Sequence, residues 1–355
     1  MMRMMLSTTL LFAAGSFWSC SNDSSPADPV SPVAAWEFES SIRALAVARD
    51  GSVWWAGSNG LIGHSDDDGS HWAIDTVRLV DGTLPAFRSI AVTDSAAFAL
   101  TIASPAVLFM RERSDSVWIP VYTNADSLAF FDSMQFWDNL EGMAMGDPMG
   151  DCLSILITRD AGRTWAAVPC EALPPVVEDE SGAREAAFAA SNGNIALWGD
   201  EAWVVSGGVA SRVFRTTDRG RTWEVVETPI VQGGAMTGMV SVARCDELRG
   251  MGWGGNWEAM DDVAANKVRT DDGGLHWELH TPGSGPGYRS AVQYVPGTDC
   301  QQLWAVGIPG ISKSWDGGMS WTTELDSSYF TVRFTEDGAT AWLAGRGKVS
   351  RQPLH

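Results

Sequence analysis

From about Trp36 onward the chain is written in short apolar runs separated by polar turns. A-L-A-V (44–47), V-W-W-A-G (53–57) and L-I-G-H-S (61–65) follow one another, and each stops at a Gly or Asp turn. Runs of this length and spacing predict strands joined by tight hairpins. No stretch carries the helical period of apolar positions, so the predicted class is all-β.

Some of these turns share a pattern, S/T-x-D-x-G-x-x-W. It occurs at Ser65-Asp67-Gly69-Trp72, Thr158-Asp160-Gly162-Trp165, Thr216-Asp218-Gly220-Trp223, Thr270-Asp272-Gly274-Trp277 and Ser314-Asp316-Gly318-Trp321. A degenerate copy, R-S-D-S-V-W, keeps Asp115 and Trp118 but lacks the Gly. A unit recurring every ~40–50 residues is the mark of a repeat architecture, and four-stranded propeller blades have that period. Each position has a structural use. The carboxylate accepts N–H groups of its own turn, Gly supplies a positive φ, and Trp fills the space between neighbouring units. One carboxylate per turn does not gather the converging oxygens a cation needs, so no metal is assigned. After Trp321 three strands remain, F-T-V-R-F, A-T-A-W-L-A-G and G-K-V-S-R. The missing one is expected from A-A-W-E-F (34–38) at the other end of the chain. The expectation is a seven-bladed β-propeller closed by that N-terminal strand, with six blades as the rival count if the degenerate copy has collapsed.

The first residues break the pattern. Arg3, an apolar run from about Leu6 to Trp18 and then Ser19-Cys20 read as an export signal, too short to span a bilayer. The organisation expected is a lipoprotein-type signal over 1–19, a lipidated Cys20 with a Ser-, Pro- and Asp-rich tether over 20–34, and one propeller domain over 35–355. Phe17 and Trp18 stand where a lipoprotein signal usually has Leu and a small residue, so plain secretion is the alternative. The place implied is the bacterial cell envelope, with the membrane touched only through the lipid anchor and the protein otherwise a monomer.

Without Cys20, four cysteines remain for an oxidising compartment, and four allow three pairings. In the hairpin about Asp160, facing residues have numbers summing to 322, which pairs Cys152 with Cys170. Cys245 and Cys300 then follow inner strands of successive units and fall within reach of each other. Buried free thiols are the alternative.

Composition narrows the function. The 355 residues carry a formal charge of −20, and Lys occurs only at 267, 313 and 348. Nucleic acid would need a basic footprint, so it is set aside.

Several segments resemble a known group. S-I-R-A-L-A-V (41–47), F-R-S-I-A-V (87–92), F-F-D-S-M-Q-F-W-D (130–138), G-M-A-M-G-D-P (142–148), A-A-F-A-A-S (186–191) and G-Y-R-S-A-V-Q-Y-V-P-G (287–297) are similar to propellers related to photosystem II assembly factors. The repeated turn resembles the Asp-box, or BNR repeat, of bacterial sialidases. The resemblance implies a seven-bladed propeller and, for the photosynthetic members, help in membrane-protein assembly. Bacterial members often carry the labels "oxidoreductase" or "glycosyl hydrolase-like". The first has no support in these residues, since no dinucleotide, C-x-x-C, haem or flavin pattern is present, and no cofactor is expected.

Arg43, Arg88, Arg184 and Arg289 precede the same apolar pattern and are expected to start inner strands around one mouth of the channel. Guanidinium groups converging there suit a carboxylate or phosphate. Asp132, Glu185 and Tyr288 flank equivalent positions. Trp253 and Trp257, in the long insert G-W-G-G-N-W-E-A-M-D-D-V-A-A-N-K (252–267), are expected to overhang the same mouth. The competing expectation is that each Arg pairs with a neighbouring carboxylate and braces the ring. The function expected is non-catalytic binding of a protein, anionic molecule or sugar. The alternative is a sialidase-like or other glycoside hydrolase with Asp132 and Glu185 as its carboxyl pair. Against it, Arg43 is followed by Ala-Leu and Arg88 by Ser-Ile, not the Ile-Pro of sialidases. The five histidines sit in or beside turns, at a rim strand or at the C-terminus, and offer neither a catalytic triad nor a zinc spacing.

Overall fold

The computed structural model describes residues 34–325 and 327–354. The signal, Cys20 and the tether to residue 33 lie outside the described residues. Ala34, assigned to the tether, already begins the strand Ala34–Val47. Among the described residues all other regular structure is β, apart from one 3-10 turn at Cys170–Ala172.

The strands pair antiparallel into six sheets, four of four strands and two of six. Phe87–Val92, Ala96–Thr101, Ala106–Glu112 and Ile119–Asn124 form one of the four-stranded meanders. This is the unit with the degenerate turn, so loss of its Gly did not collapse it. The expected seventh sheet is nevertheless not separate. Thr340–Pro353 pairs Thr331–Phe334 through Ala341–Ala344 and pairs Ala34–Val47 through Arg346–Arg351. Ala34–Val47 pairs Val53–Gly57 through Ile42–Val47. These two 14-residue strands each serve two sets of neighbours, so the first and last units run together as one six-stranded sheet. Trp36 stands opposite Val349, joining the two ends of the chain.

The strand opening each unit packs on the next around a central channel. Ala34–Val47 meets Phe87–Val92, which meets Phe131–Phe136, and Ile195–Trp198, Thr237–Arg244, Ala291–Tyr294 and Thr331–Phe334 follow in order. The last returns to Ala34–Val47. The cores lie between sheets. One holds Phe98 and Leu100 with Phe131, Met134 and Trp165 from the adjacent sheet, and burying a Phe fully contributes about 1.5–3 kcal/mol.

The five repeated turns are built alike. In each, the Ser or Thr hydroxyl donates to the Asp Oδ1 at 2.9–3.0 Å and accepts the Gly N–H at 2.8–3.0 Å. The Asp Oδ1 also accepts the N–H four residues on, at 2.8–3.0 Å. The glycines have φ from 76° to 87°, and a Cβ on Gly69, Gly162 or Gly274 would strike Trp36, Phe98 or Trp203 of the adjacent unit. Asp67, Asp160, Asp218, Asp272 and Asp316 thus fold their own turns, and the motif locks unit to unit.

Two disulfides are present, Cys152–Cys170 and Cys245–Cys300. The pairs are those expected, although the register is not. Leu156 faces Ala167 and Ile157 faces Ala166, one residue off the expected alignment. The ladder has only these two pairs before the chain enters the 3-10 turn at Cys170, and that turn brings Cys170 to Cys152. Cys245–Cys300 joins the turn after Thr237–Arg244 to the turn before Leu303–Gly307, in neighbouring sheets.

Candidate functional site

Four opening strands share a bulge. Register shifts fall between Ile42 and Ala44, between Phe87 and Ser89, between Met239 and Ser241, and opposite Met145/Gly146, where Asp132 is the extra residue. A bulge leaves one residue out of the ladder and re-aims its side chain. The residues so released are Arg43, Arg88, Val240 and Asp132. Arg43, Arg88 and Val240 line one cavity of about 240 Å³, together with Phe130, Phe188, Met236, Trp257 and Tyr288.

Arg43 lies over the Phe330 ring at 3.9 Å and donates from Nη1 to the Ala190 carbonyl at 3.1 Å. Burial, with Arg88 adding to it, pushes its pKa down to about 10, so the charge persists at neutral pH. Arg88 makes no hydrogen bond among the described residues, and its Nε is sealed without a partner. Burial lowers its pKa, opposed by the nearby Asp132 charge. The Tyr288 hydroxyl also makes no hydrogen bond among the described residues, and burial raises its pKa. Trp257 packs edge-on against the Tyr288 ring at 5.4 Å, and the Met260 carbonyl of the same insert accepts the Tyr288 N–H. The insert therefore does overhang this mouth.

Other expected members lie elsewhere. Arg184 is half-exposed, bonded to the Gly150 carbonyl and near Glu178 and Asp151. Glu185 is sealed, holding Arg212, Ser206 Oγ and the Val177 N–H. The reason is topological. Glu185–Ala186 is a short edge strand on Gly207–Gly208, and the opening strand of that region is Ile195–Trp198. Arg289 donates to Ser312 Oγ from Nε and Nη2 at 3.2 and 2.8 Å and to the Tyr288 carbonyl, so it braces its sheet. Its strand runs without a register shift, and Tyr288 takes the direction toward the mouth. Trp253 is fully buried against Trp321, its N–H on the Gly287 carbonyl. Asp132 is fully buried, and neither carboxyl oxygen has a hydrogen-bond partner. Burial and Asp147 raise its pKa well above the carboxylate range, while Arg88 opposes them.

No carboxylate lines the cavity among the described residues, so Asp132 and Glu185 do not face each other across it. Sequence reading missed the apolar walls, Phe130 and Phe188, and the platform Phe330. The signal was present, since Phe130 and Phe330 each stand at the threshold of an opening strand. Chemically, the mouth joins two cationic forks and a phenol to an aromatic rim. That arrangement suits a carboxylate attached to an apolar group.

No family model and no curated protein matches the chain. Solved structures do resemble it in fold. YCF48 bound to D1 peptide has a TM-score of 0.60 at 15% identity, covering 91% of this chain and 97% of that one. YCF48 from Cyanidioschyzon merolae has 0.57 at 13%, covering 90% and 99%. The GH74 xyloglucanase from Xanthomonas campestris has 0.63 at 15%, covering 92% of this chain and 53% of that one. Two disulfides fit an oxidising compartment, and no helix among the described residues is long and apolar enough to cross a membrane. The chain is a β-propeller similar in fold to YCF48.

Proposed function

We propose that this chain is a binding propeller, acting as a scaffold for a protein segment whose carboxylate seats on Arg88 and Arg43 at the channel mouth. The observation that carries the reading is the Arg88 guanidinium, which lines the cavity and makes no hydrogen bond among the described residues. Arginines that only brace, such as Arg289 and Arg212, spend their donors on neighbours. Trp257, Phe130 and Phe188 would take the apolar side chain next to the carboxylate. A YCF48 propeller has been solved with a D1 peptide, which supports a peptide over a sugar. The sialidase-like alternative lacks its carboxyl pair at this mouth. Titration of the protein with short peptides ending in Leu or Phe, as free acids and as amides, tests the reading calorimetrically. Binding of the acids alone, lost in Arg88→Ala, supports it. Equal response to acid and amide removes it.

The same reading places the propeller at the cell envelope, exported by residues 1–19 and lipidated on Cys20. The Cys20→Ser variant should leave the membrane fraction. The reading also counts the six-stranded terminal sheet as two blades of a seven-fold Asp-box ring, supported by the cyclic order of the opening strands.

A further inference from the structure

The channel holds another cation with no anion to answer it. Arg333 lines a separate cavity of about 220 Å³, two to four residues further along the opening strands than the mouth arginines. Its lining is mixed: Val47, Val92 and Phe136 are half-buried apolar residues there, Gln135 and Asn192 are polar, and Leu45 and Ile90 are themselves fully buried. Nη1 donates to Thr331 Oγ1 at 3.2 Å and the Val332 carbonyl at 2.7 Å, and Nη2 reaches across the channel to the Asn192 carbonyl at 2.7 Å. A guanidinium has five N–H donors. The Nε donor and one on Nη2 therefore have no acceptor among the described residues. Unlike Nε of Arg43 and Arg88, Nε of Arg333 is not sealed by protein, so it opens to the cavity.

No carboxylate lies within ion-pair distance of Arg333 among the described residues, although Asp and Glu outnumber Lys and Arg by 44 to 24. Other buried arginines found partners: Arg111 has Asp75, Arg212 has Glu185 and Arg244 has Glu201. Burial alone pushes the Arg333 pKa down to about 10, so it stays charged at neutral pH. Arg333 is half-buried, and a part-desolvated charge without a counter-ion is costly. Nε and Nη2 are the nitrogens with which Arg grips a carboxylate side-on.

We propose that Arg333 and its cavity form a second site, for a small monocarboxylate with a short apolar tail. Phosphate suits it poorly, because the two free Arg333 donors leave its remaining oxygens without a charged partner. The site is independent of the reading given to the mouth.

Calorimetric titration of the full chain with isovalerate tests the proposal, with isovaleramide and chloride as controls. Isovalerate is expected to bind, the uncharged amide is not, and chloride is expected not to displace isovalerate. Arg333→Met should weaken binding about tenfold or more, the scale of a lost charge-assisted pair. Because Arg333 also holds Asn192, Ala46→Leu provides a second variant. It enlarges a half-buried residue of the cavity lining that takes part in no Arg333 hydrogen bond, and should also weaken binding. Arg88→Ala should bind isovalerate as the native chain does. Equal binding of acid and amide, displacement by chloride, native affinity in folded Arg333→Met or Ala46→Leu, or loss in Arg88→Ala would each overturn the proposal.

Discussion

Arg88 and Asp132 occupy the same bulged position on neighbouring opening strands, yet no hydrogen bond joins them. The cation is left in the cavity and the carboxyl is sealed behind it, its pKa raised by burial and by Asp147. This separation keeps the Arg88 donors available. It also makes Asp132 a source of pH-dependent stability.

Asp132 has a folded pKa above its unfolded value. Its contribution is therefore fully present below the unfolded pKa near 3.8 and is lost as pH rises through the folded value. Asp132→Asn, which cannot ionise, should melt higher than the native chain at neutral pH. The difference should shrink toward pH 4. Thermal melts across that range check it, and an equal difference at every pH would contradict it.

The repeated turns have the opposite sign. Asp218 accepts Thr222 N–H, Arg221 N–H and two hydroxyls, and although desolvation opposes them, these bonds hold its pKa down to about 2. Its contribution is present above the unfolded pKa and is lost as pH falls through about 2. Asp218→Ala should cost about 1–3 kcal/mol at neutral pH, with the deficit fading in acid. Denaturant unfolding at the two extremes measures this.

The arginines separate by what they touch. Arg289→Ala removes the bonds to Ser312 and the Tyr288 carbonyl and should cost about 1.5–3 kcal/mol of stability. Arg88→Ala removes no protein hydrogen bond and should stay within about 0.5 kcal/mol of the native chain. A single set of urea curves compares them.

The disulfides should differ too. Cys245–Cys300 closes a span of 55 residues and Cys152–Cys170 one of 18. Loop-closure entropy then gives about 4 and about 3 kcal/mol. Replacing both cysteines of each pair by Ser should destabilise in that order, read from the same curves.

Much of this was legible because repeats align themselves. The S/T-x-D-x-G-x-x-W turns mark the hairpins, and counting back to the apolar strand reaches Arg43 and Arg88. The method failed where geometry changes without a change in pattern. Arg289 precedes the same apolar run, but its strand lacks the bulge, so the side chain turns into the sheet. Arg184 precedes A-A-F-A-A-S, yet the chain makes an edge strand there and opens the unit only at Ile195. Bulges depend on the partner strand, which a single segment does not encode. The running together of the first and last units has the same origin, since it arises between strands at opposite ends of the chain.

The pairing of Trp36 with Val349 bears on how the molecule is made. On the ribosome the strand Ala34–Val47 emerges first, and its outer partner Thr340–Pro353 emerges last. Throughout synthesis the nascent ring presents an unpaired edge with Trp36 and Phe38 on it. Such an edge invites pairing with another chain, and contacts this distant in sequence form slowly. Circular permutation that places residues 34–41 directly after residue 354 would convert this closure into a local hairpin, and the ring would then close without waiting on the opposite end of the chain.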